Sequence, residues 1–140
     1  MAAGNNIKED IFMKKRSFLV VSIVVLVLFA VQAFAAYDSA TVKKAMRTHA
    51  ALLGETSNAV EANDFFLAAE KLMENATLFK SLMVMSPKKG SEAEWNRILN
   101  GMLKAAFKGI GACGEENAEG VAAAISELKA VKKEGHKMFK

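Results

Sequence analysis

Residues 86–91, Ser86-Pro87-Lys88-Lys89-Gly90-Ser91, form the clearest break in this chain and contain its only proline. Proline lacks a backbone N–H and ends helices, so this segment separates two structural elements. The long stretches on both sides are poor in glycine and proline and rich in Ala, Leu, Met, Lys and Glu, which are strong helix formers. No segment has the pattern of a strand, so the sequence predicts an all-α fold.

Helix start signals after residue 35 predict four helices. The expected N-caps are Asp38 or Ser39 for the first helix, Asn63 or Asp64 for the second, and Ser91 for the third. Glu94 follows Ser91 by three residues and completes a capping box. Residues 115–119 predict a turn and then the acidic first turn of a fourth helix, because carboxylates favour the positive end of the helix dipole. The first helix is expected to end near Ala59.

Apolar residues recur at helical spacing in each of these segments. The predicted core includes Phe65, Phe79, Trp95 and Phe107, and one face of the first helix carries Val42, Met46, His49 and Leu53. Four helices of about twenty residues with short connections favour antiparallel neighbours. We therefore expect an up-down-up-down antiparallel four-helix bundle, in which the start of the first helix lies beside the end of the fourth.

The N-terminal part has the pattern of a secretory signal peptide. Lys14-Lys15-Arg16 forms a basic cluster, residues 18–31 are apolar, and Ala33-Phe34-Ala35 supplies a small-x-small cleavage site. The apolar run is shorter than the roughly 20 residues of a membrane span, so an uncleaved anchor is the weaker alternative. Since the basic cluster directly follows Met13, translation starting there is an alternative to Met1. We expect residues 1–35 to be a leader and residues 36–140 to be one exported domain in the periplasm.

The composition of residues 36–140 excludes several classes of function. Their fifteen Lys and Arg residues are interleaved with thirteen Asp and Glu residues, so no basic stripe suited to nucleic acid is expected. Cys113 is the only cysteine, which rules out an internal disulfide and predicts a small buried apolar residue. The sequence contains no paired nucleophile and base, no glycine-rich phosphate loop and no zinc-ligand spacing, so we do not expect an enzyme.

One histidine lies close to the C-terminus. At about 100° per residue, His136 falls near the apolar stripe of Val121, Ile125 and Leu128 and is expected to face inward. An inward imidazole needs a partner, which would be a carbonyl, a carboxylate or a metal ion.

The segment from Ala122 to Lys140 resembles the closing helix of the cytochrome b562 and cytochrome c prime families, which are haem-carrying four-helix bundles. In both families a histidine near the C-terminus binds the haem iron, and an aromatic and then a basic residue follow it, as Phe139 and Lys140 follow His136 here. Lys132 and Gly135 stand where c-type attachment requires two cysteines, so no thioether bond can form. The resemblance therefore implies one non-covalent haem b per chain.

The resemblance to cytochrome b562 implies that Met46 is the second axial ligand. Met46 lies roughly 10 Å inside the first helix and His136 roughly 6 Å inside the fourth, so a flat macrocycle at that end of the bundle would meet both. His49 is the alternative ligand. An alignment to cytochrome c prime instead puts Ala50 at this position and leaves the iron five-coordinate. Lys132 and Lys140 are expected to pair with the haem propionates.

The sequence thus predicts a periplasmic electron-transfer protein that binds haem b between its first and last helices. It would have no membrane contact after signal cleavage, a redox protein as partner, and the option of forming a homodimer. Two alternatives are a haem-free bundle that acts as a binding or structural module, and a five-coordinate haem protein that binds a small gas.

Overall fold

The computed structural model describes residues 36–139, which form four α-helices and contain no strand. We name them α1 (Ser39–Glu61), α2 (Phe65–Leu82), α3 (Glu92–Gly114) and α4 (Ala118–Phe139). The predicted all-α class is therefore confirmed for the described residues. The predicted signal peptide in residues 1–35 and the side chain of Lys140 lie outside them.

Polar side chains at the helix N-termini fix where each helix begins. The Asp38 and Asp64 carboxylates accept hydrogen bonds from the backbone N–H groups of Ala40 and Leu67, and the Ser91 hydroxyl accepts one from Glu94. These three predicted N-caps are confirmed. The Asn117 side chain accepts a hydrogen bond from the Gly120 N–H in the same way at the start of α4. Each cap satisfies a backbone donor that has no partner within its own helix.

Ion pairs show that α3 and α4 run in opposite directions. Arg97 Nη2 lies 2.7 Å from Glu134 Oε1, and Lys108 Nζ lies 2.7 Å from Glu127 Oε2, so residue numbers rise along one helix as they fall along the other. The other consecutive helices are also antiparallel. Between α1 and α2, Glu55 pairs with Lys71 and His49 pairs with Asn75. Between α2 and α3, Leu82 contacts Trp95 and Leu72 lies beside Gly109. The N-terminal end of α1 and the C-terminal end of α4 therefore lie at the same end.

The core lies between the helices and contains mostly aliphatic residues. Its fully buried large apolar members are Leu72, Phe79, Leu82, Val121 and Leu128. Consecutive helices pack closely, whereas α1 and α4 touch each other at few positions. This loose pairing leaves a cleft between the first and last helices.

Phe107 is not part of the core, and its predicted burial is wrong, since its side chain is 54% exposed. The buried stripe of α3 passes through Met102, Ala105, Ala106 and Gly109. Position 107 is rotated by about 100° from position 106, which carries its side chain off the stripe. Cys113 is buried as predicted, and burial raises the pKa of its thiol.

Gly109 marks the closest approach of three helices. A Cβ atom at this position would lie 2.7 Å from Leu72 Cδ1 of α2 and 3.1 Å from Ala124 Cβ of α4. A Cβ atom on Gly54 of α1 would meet no atom within 4 Å. The packing of α3 against both neighbours therefore requires a glycine at position 109, whereas position 54 tolerates a side chain.

We expect leucine to have opposite effects at these two glycines. Gly109→Leu overpacks the core and lowers the free energy of unfolding by about 1–3 kcal/mol or more. Gly54→Leu raises it by about 0.5–1 kcal/mol, because leucine favours a helix more than glycine does. Urea unfolding followed by circular dichroism measures both. Equal stability of the two variants would contradict the close packing at Gly109.

Candidate functional site

A cleft of about 320 Å³ lies between α1 and α4. Its lining residues are Tyr37, Val42, Lys43, Met46 and Arg47 at the start of the chain's folded part, Phe79 of α2, Trp95, Ile98, Leu99 and Met102 of α3, and Lys132, Gly135, His136 and Phe139 of α4. All four helices therefore contribute to it. The floor is apolar and aromatic, whereas the cations come from α1 and α4, the two helices that bound the opening.

Two aromatic rings pack against each other at one end of the cleft. The Trp95 and Phe139 rings meet edge to face, with their centroids 5.2 Å apart and their planes at 89°. Trp95 Nε1 also donates a hydrogen bond to the carbonyl oxygen of Leu82 at 3.3 Å. Because the indole is held by α2 and contacts the last residue of α4, it ties the C-terminus to the body of the fold.

The structure brings three of the predicted site residues to this one cleft. Met46 and Lys132 both line it and are half-buried. His136 also lines it, from the helix opposite Met46. Lys140, the fourth predicted residue, is outside the described part of the chain.

His136 lines the cleft but is exposed, so the prediction that it shares the buried face of Val121, Ile125 and Leu128 is wrong. Gly135 takes the buried position instead, close enough to α3 that a Cβ atom there would lie 2.9 Å from Ile98 Cγ2. The next residue is rotated by about 100° and therefore leaves the buried stripe. The imidazole stands at the edge of the cleft, between its apolar interior and the solvent.

Two cations that the sequence analysis did not single out, Lys43 and Arg47, also line the cleft. They are one helical turn apart on α1, to either side of the position of Met46. Neither these two residues nor Lys132 forms an ion pair with a carboxylate within residues 36–139. Their spacing of four residues was visible in the sequence, but solvated helix faces show the same spacing. Only the fold shows that they face a cleft.

His49 lies fully buried behind the cleft, with its ring edge against Phe79 at a centroid distance of 5.0 Å. Its Nδ1 donates a hydrogen bond to the Oδ1 atom of Asn75, which is also fully buried, at 2.9 Å. Neither His49 Nε2 nor Asn75 Nδ2 has a partner among the described residues. Asn75 has no signal in the sequence that would reveal this role, since a polar residue within a helix is usually exposed.

Burial lowers the pKa of His49 below its ordinary value of 6.5; the hydrogen bond to Asn75 acts in the opposite direction, and the charges of Lys132 and His136 lower it further. The unfolded chain therefore takes up a proton at His49 as the pH falls below about 6.5, whereas the folded chain resists it. We expect the urea midpoint to fall between pH 7 and pH 5. His49→Gln should reduce this fall. An identical pH profile for the variant would contradict a neutral, buried His49.

Within residues 36–139, no three His, Cys, Asp or Glu side chains are grouped so that they could hold a metal ion by themselves. No helix in this range is long and apolar enough to cross a membrane. Comparisons with protein-family models, with curated proteins and with solved structures found no match to this chain.

Proposed function

We propose that this chain is an electron carrier that holds one non-covalent haem b in the cleft between α1 and α4. The observation that carries the proposal is that Met46, Lys132 and His136 line one apolar cleft, although they are separated by up to 90 residues in the sequence. The proposed architecture is an up-down-up-down antiparallel four-helix bundle, supported by the opposed residue order at each consecutive helix pair. The proposed location is the periplasm, reached through a signal peptide within residues 1–35.

The donor atoms at the cleft fit a haem. A porphyrin supplies four nitrogen ligands itself, so the protein needs to provide only one or two. Imidazole and thioether are common axial ligands of haem iron, and His136 and Met46 carry these groups on opposite sides of the cleft. We assign His136 as one axial ligand and Met46 as the other.

The lining and the charge of the cleft also fit this group. Phe79, Trp95 and Leu99 would contact a flat apolar ring. Lys43, Arg47 and Lys132 have no ion-pair partner among the described residues and would pair with two propionates through charge-assisted hydrogen bonds.

Bound haem would supply one-electron chemistry. The chain's own residues would set the reduction potential of the haem, because a histidine and methionine pair gives a higher potential than two histidines. The apolar walls keep water from the ring faces, and the exposed position of His136 keeps one edge of the site close to the protein surface. This arrangement suits transfer of electrons to another protein.

The exposure of His136 also favours a second candidate function, a haem-free module that binds another amphipathic anion. An apolar cleft edged by cations that have no ion-pair partner among residues 36–139 would take a long-chain carboxylate without any role for the imidazole. The two candidates differ in whether an iron porphyrin binds and in whether His136 is needed.

Titration of the protein with hemin tests the proposal. We expect a Soret band that saturates at one haem per chain. Val42→Trp fills the cleft and should weaken hemin binding at least tenfold, whereas Val84→Trp is a matched control at a site 60% exposed and outside the cleft. Carbon monoxide binding to the untreated reduced protein would indicate an open axial position and count against Met46. Equal binding by both tryptophan variants would overturn the assignment of haem to this cleft.

A further inference from the structure

Six cations line the cleft or the shallow depression beside it and form what we call the cationic face. Its members are Lys43 and Arg47 of α1 and Lys129, Lys132, Lys133 and Lys137 of α4. All except the half-buried Lys132 are exposed, and none forms an ion pair with a carboxylate among residues 36–139. Cations outside this face differ from its members. Lys71, Arg97 and Lys108 each form an ion pair with a glutamate. Lys104 has no such pair among residues 36–139 and lies on α3.

The opposite end of the fold is acidic. The two connections at that end, after α1 and after α3, carry a set of exposed carboxylates: Glu61, Asp64, Glu115, Glu116 and Glu119. The described residues are therefore charged with opposite signs at their two ends, even though the whole chain has a net charge of only +4. Such a separation orients a protein as it approaches a charged partner.

The cationic face continues directly from the cleft. A shallow depression on α4 is lined by Lys129, Lys132, Lys133, His136 and Lys137. Lys132 and His136 belong to both the depression and the cleft. A partner seated on this depression would thus lie against the edge of the proposed haem site.

The amount of exposed apolar surface distinguishes a face that binds a protein from a face that binds a membrane. Helices that bind membranes combine their lysines with large apolar side chains that enter the lipid. The large apolar side chains that are most exposed here are Phe66, Leu67, Met73, Val84 and Phe107, all on α2, on α3 or in the segment between them. The described parts of α1 and α4 contribute none of these, so the cationic face carries no large exposed apolar side chain.

We propose that the cationic face is the docking surface for an acidic redox protein. The electron-transfer part of this inference rests on the proposed function, whereas the docking depends only on the charges. An acidic partner would be steered to the edge of the cleft, where the transfer distance is shortest. The association should therefore be fast at low salt and weaken steeply as salt screens the charges.

The test uses plant-type ferredoxin as an acidic redox probe and compares two triple variants of equal charge change. Lys129→Glu, Lys133→Glu and Lys137→Glu reverse the cationic face without altering any cleft residue. Lys80→Glu, Lys88→Glu and Lys104→Glu reverse three exposed lysines outside it. We expect the first variant to slow association of the haem-free protein at low salt by tenfold or more, and the second to slow it less than threefold.

Three outcomes would overturn the proposal: equal loss in both variants, association that does not depend on salt, or no binding to ferredoxin together with binding to vesicles of anionic phospholipid. Hemin titration of the same samples keeps the two hypotheses apart. Docking without hemin binding would refute the haem proposal alone, and hemin binding without docking would refute the docking surface alone.

Discussion

Replacing Phe79 with alanine is expected to lower the free energy of unfolding by about 3–5 kcal/mol, the range observed when a buried phenylalanine is truncated. Phe79 is 0% exposed and lies between the cleft and the buried His49 ring. Its loss would leave a cavity at the centre of the fold. For a domain of roughly a hundred residues, the melting temperature should fall by about 15 °C or more.

The same helix offers a matched control, since Phe66 is 84% exposed. We expect Phe66→Ala to change the free energy of unfolding by no more than about 0.5 kcal/mol. Thermal unfolding followed by circular dichroism measures both variants. An equal loss of stability in the two variants would contradict the burial of the Phe79 face of α2.

Replacing His136 with alanine is expected to weaken hemin binding at least tenfold, equivalent to about 1.4 kcal/mol of binding free energy. The physical reason would be the loss of the proposed bond between the imidazole and the iron. Met46→Leu keeps the volume of the side chain and removes only the sulfur, so it should retain haem but change the spectrum from low spin to high spin.

His49→Gln serves as the control for both ligands, because it removes the other histidine of the chain. The low-spin spectrum should survive this change, since the fully buried His49 ring packs against Phe79 and does not line the cleft. A spectrum that His49→Gln alters and Met46→Leu leaves unchanged would move the axial ligand to His49.

Much of the fold was predictable from local chemistry. The caps at Asp38, Asp64 and Ser91 depend on a side chain and a backbone only two or three residues apart, so the sequence contained all that was needed. The break around Pro87 and the absence of strands from residues 36–139 followed equally from residue type. The apolar stripe of α4 was also correct at Val121, Ile125 and Leu128, which are buried.

The errors arose where several turns of helix had to be extrapolated. His136 lies eleven residues after Ile125, so a small deviation from 100° per residue moves it from the core to the edge of the cleft. Gly135 occupies the buried position instead of His136, because the absence of a side chain lets α4 approach Ile98 closely. Phe107 was misplaced because its size suggested burial, whereas the small neighbours Ala105 and Ala106 fill the interface.

Contacts between distant segments could not be predicted from the sequence. The pairing of His49 with Asn75 joins two helices across 26 positions, and nothing in either local pattern indicates it. The position of Lys43 and Arg47 at the cleft likewise depends on the loose packing of α1 against α4, which only the assembled fold reveals.

The absorption spectrum of the full chain purified from haem-replete cells shows whether the protein carries haem. We expect a Soret band with the narrow visible bands of a low-spin haem, at one haem per chain, released by acidic organic solvent because no covalent bond would hold it. A protein without a Soret band, which stays without one after hemin is added, would contradict the haem proposal and leave the cleft to another ligand.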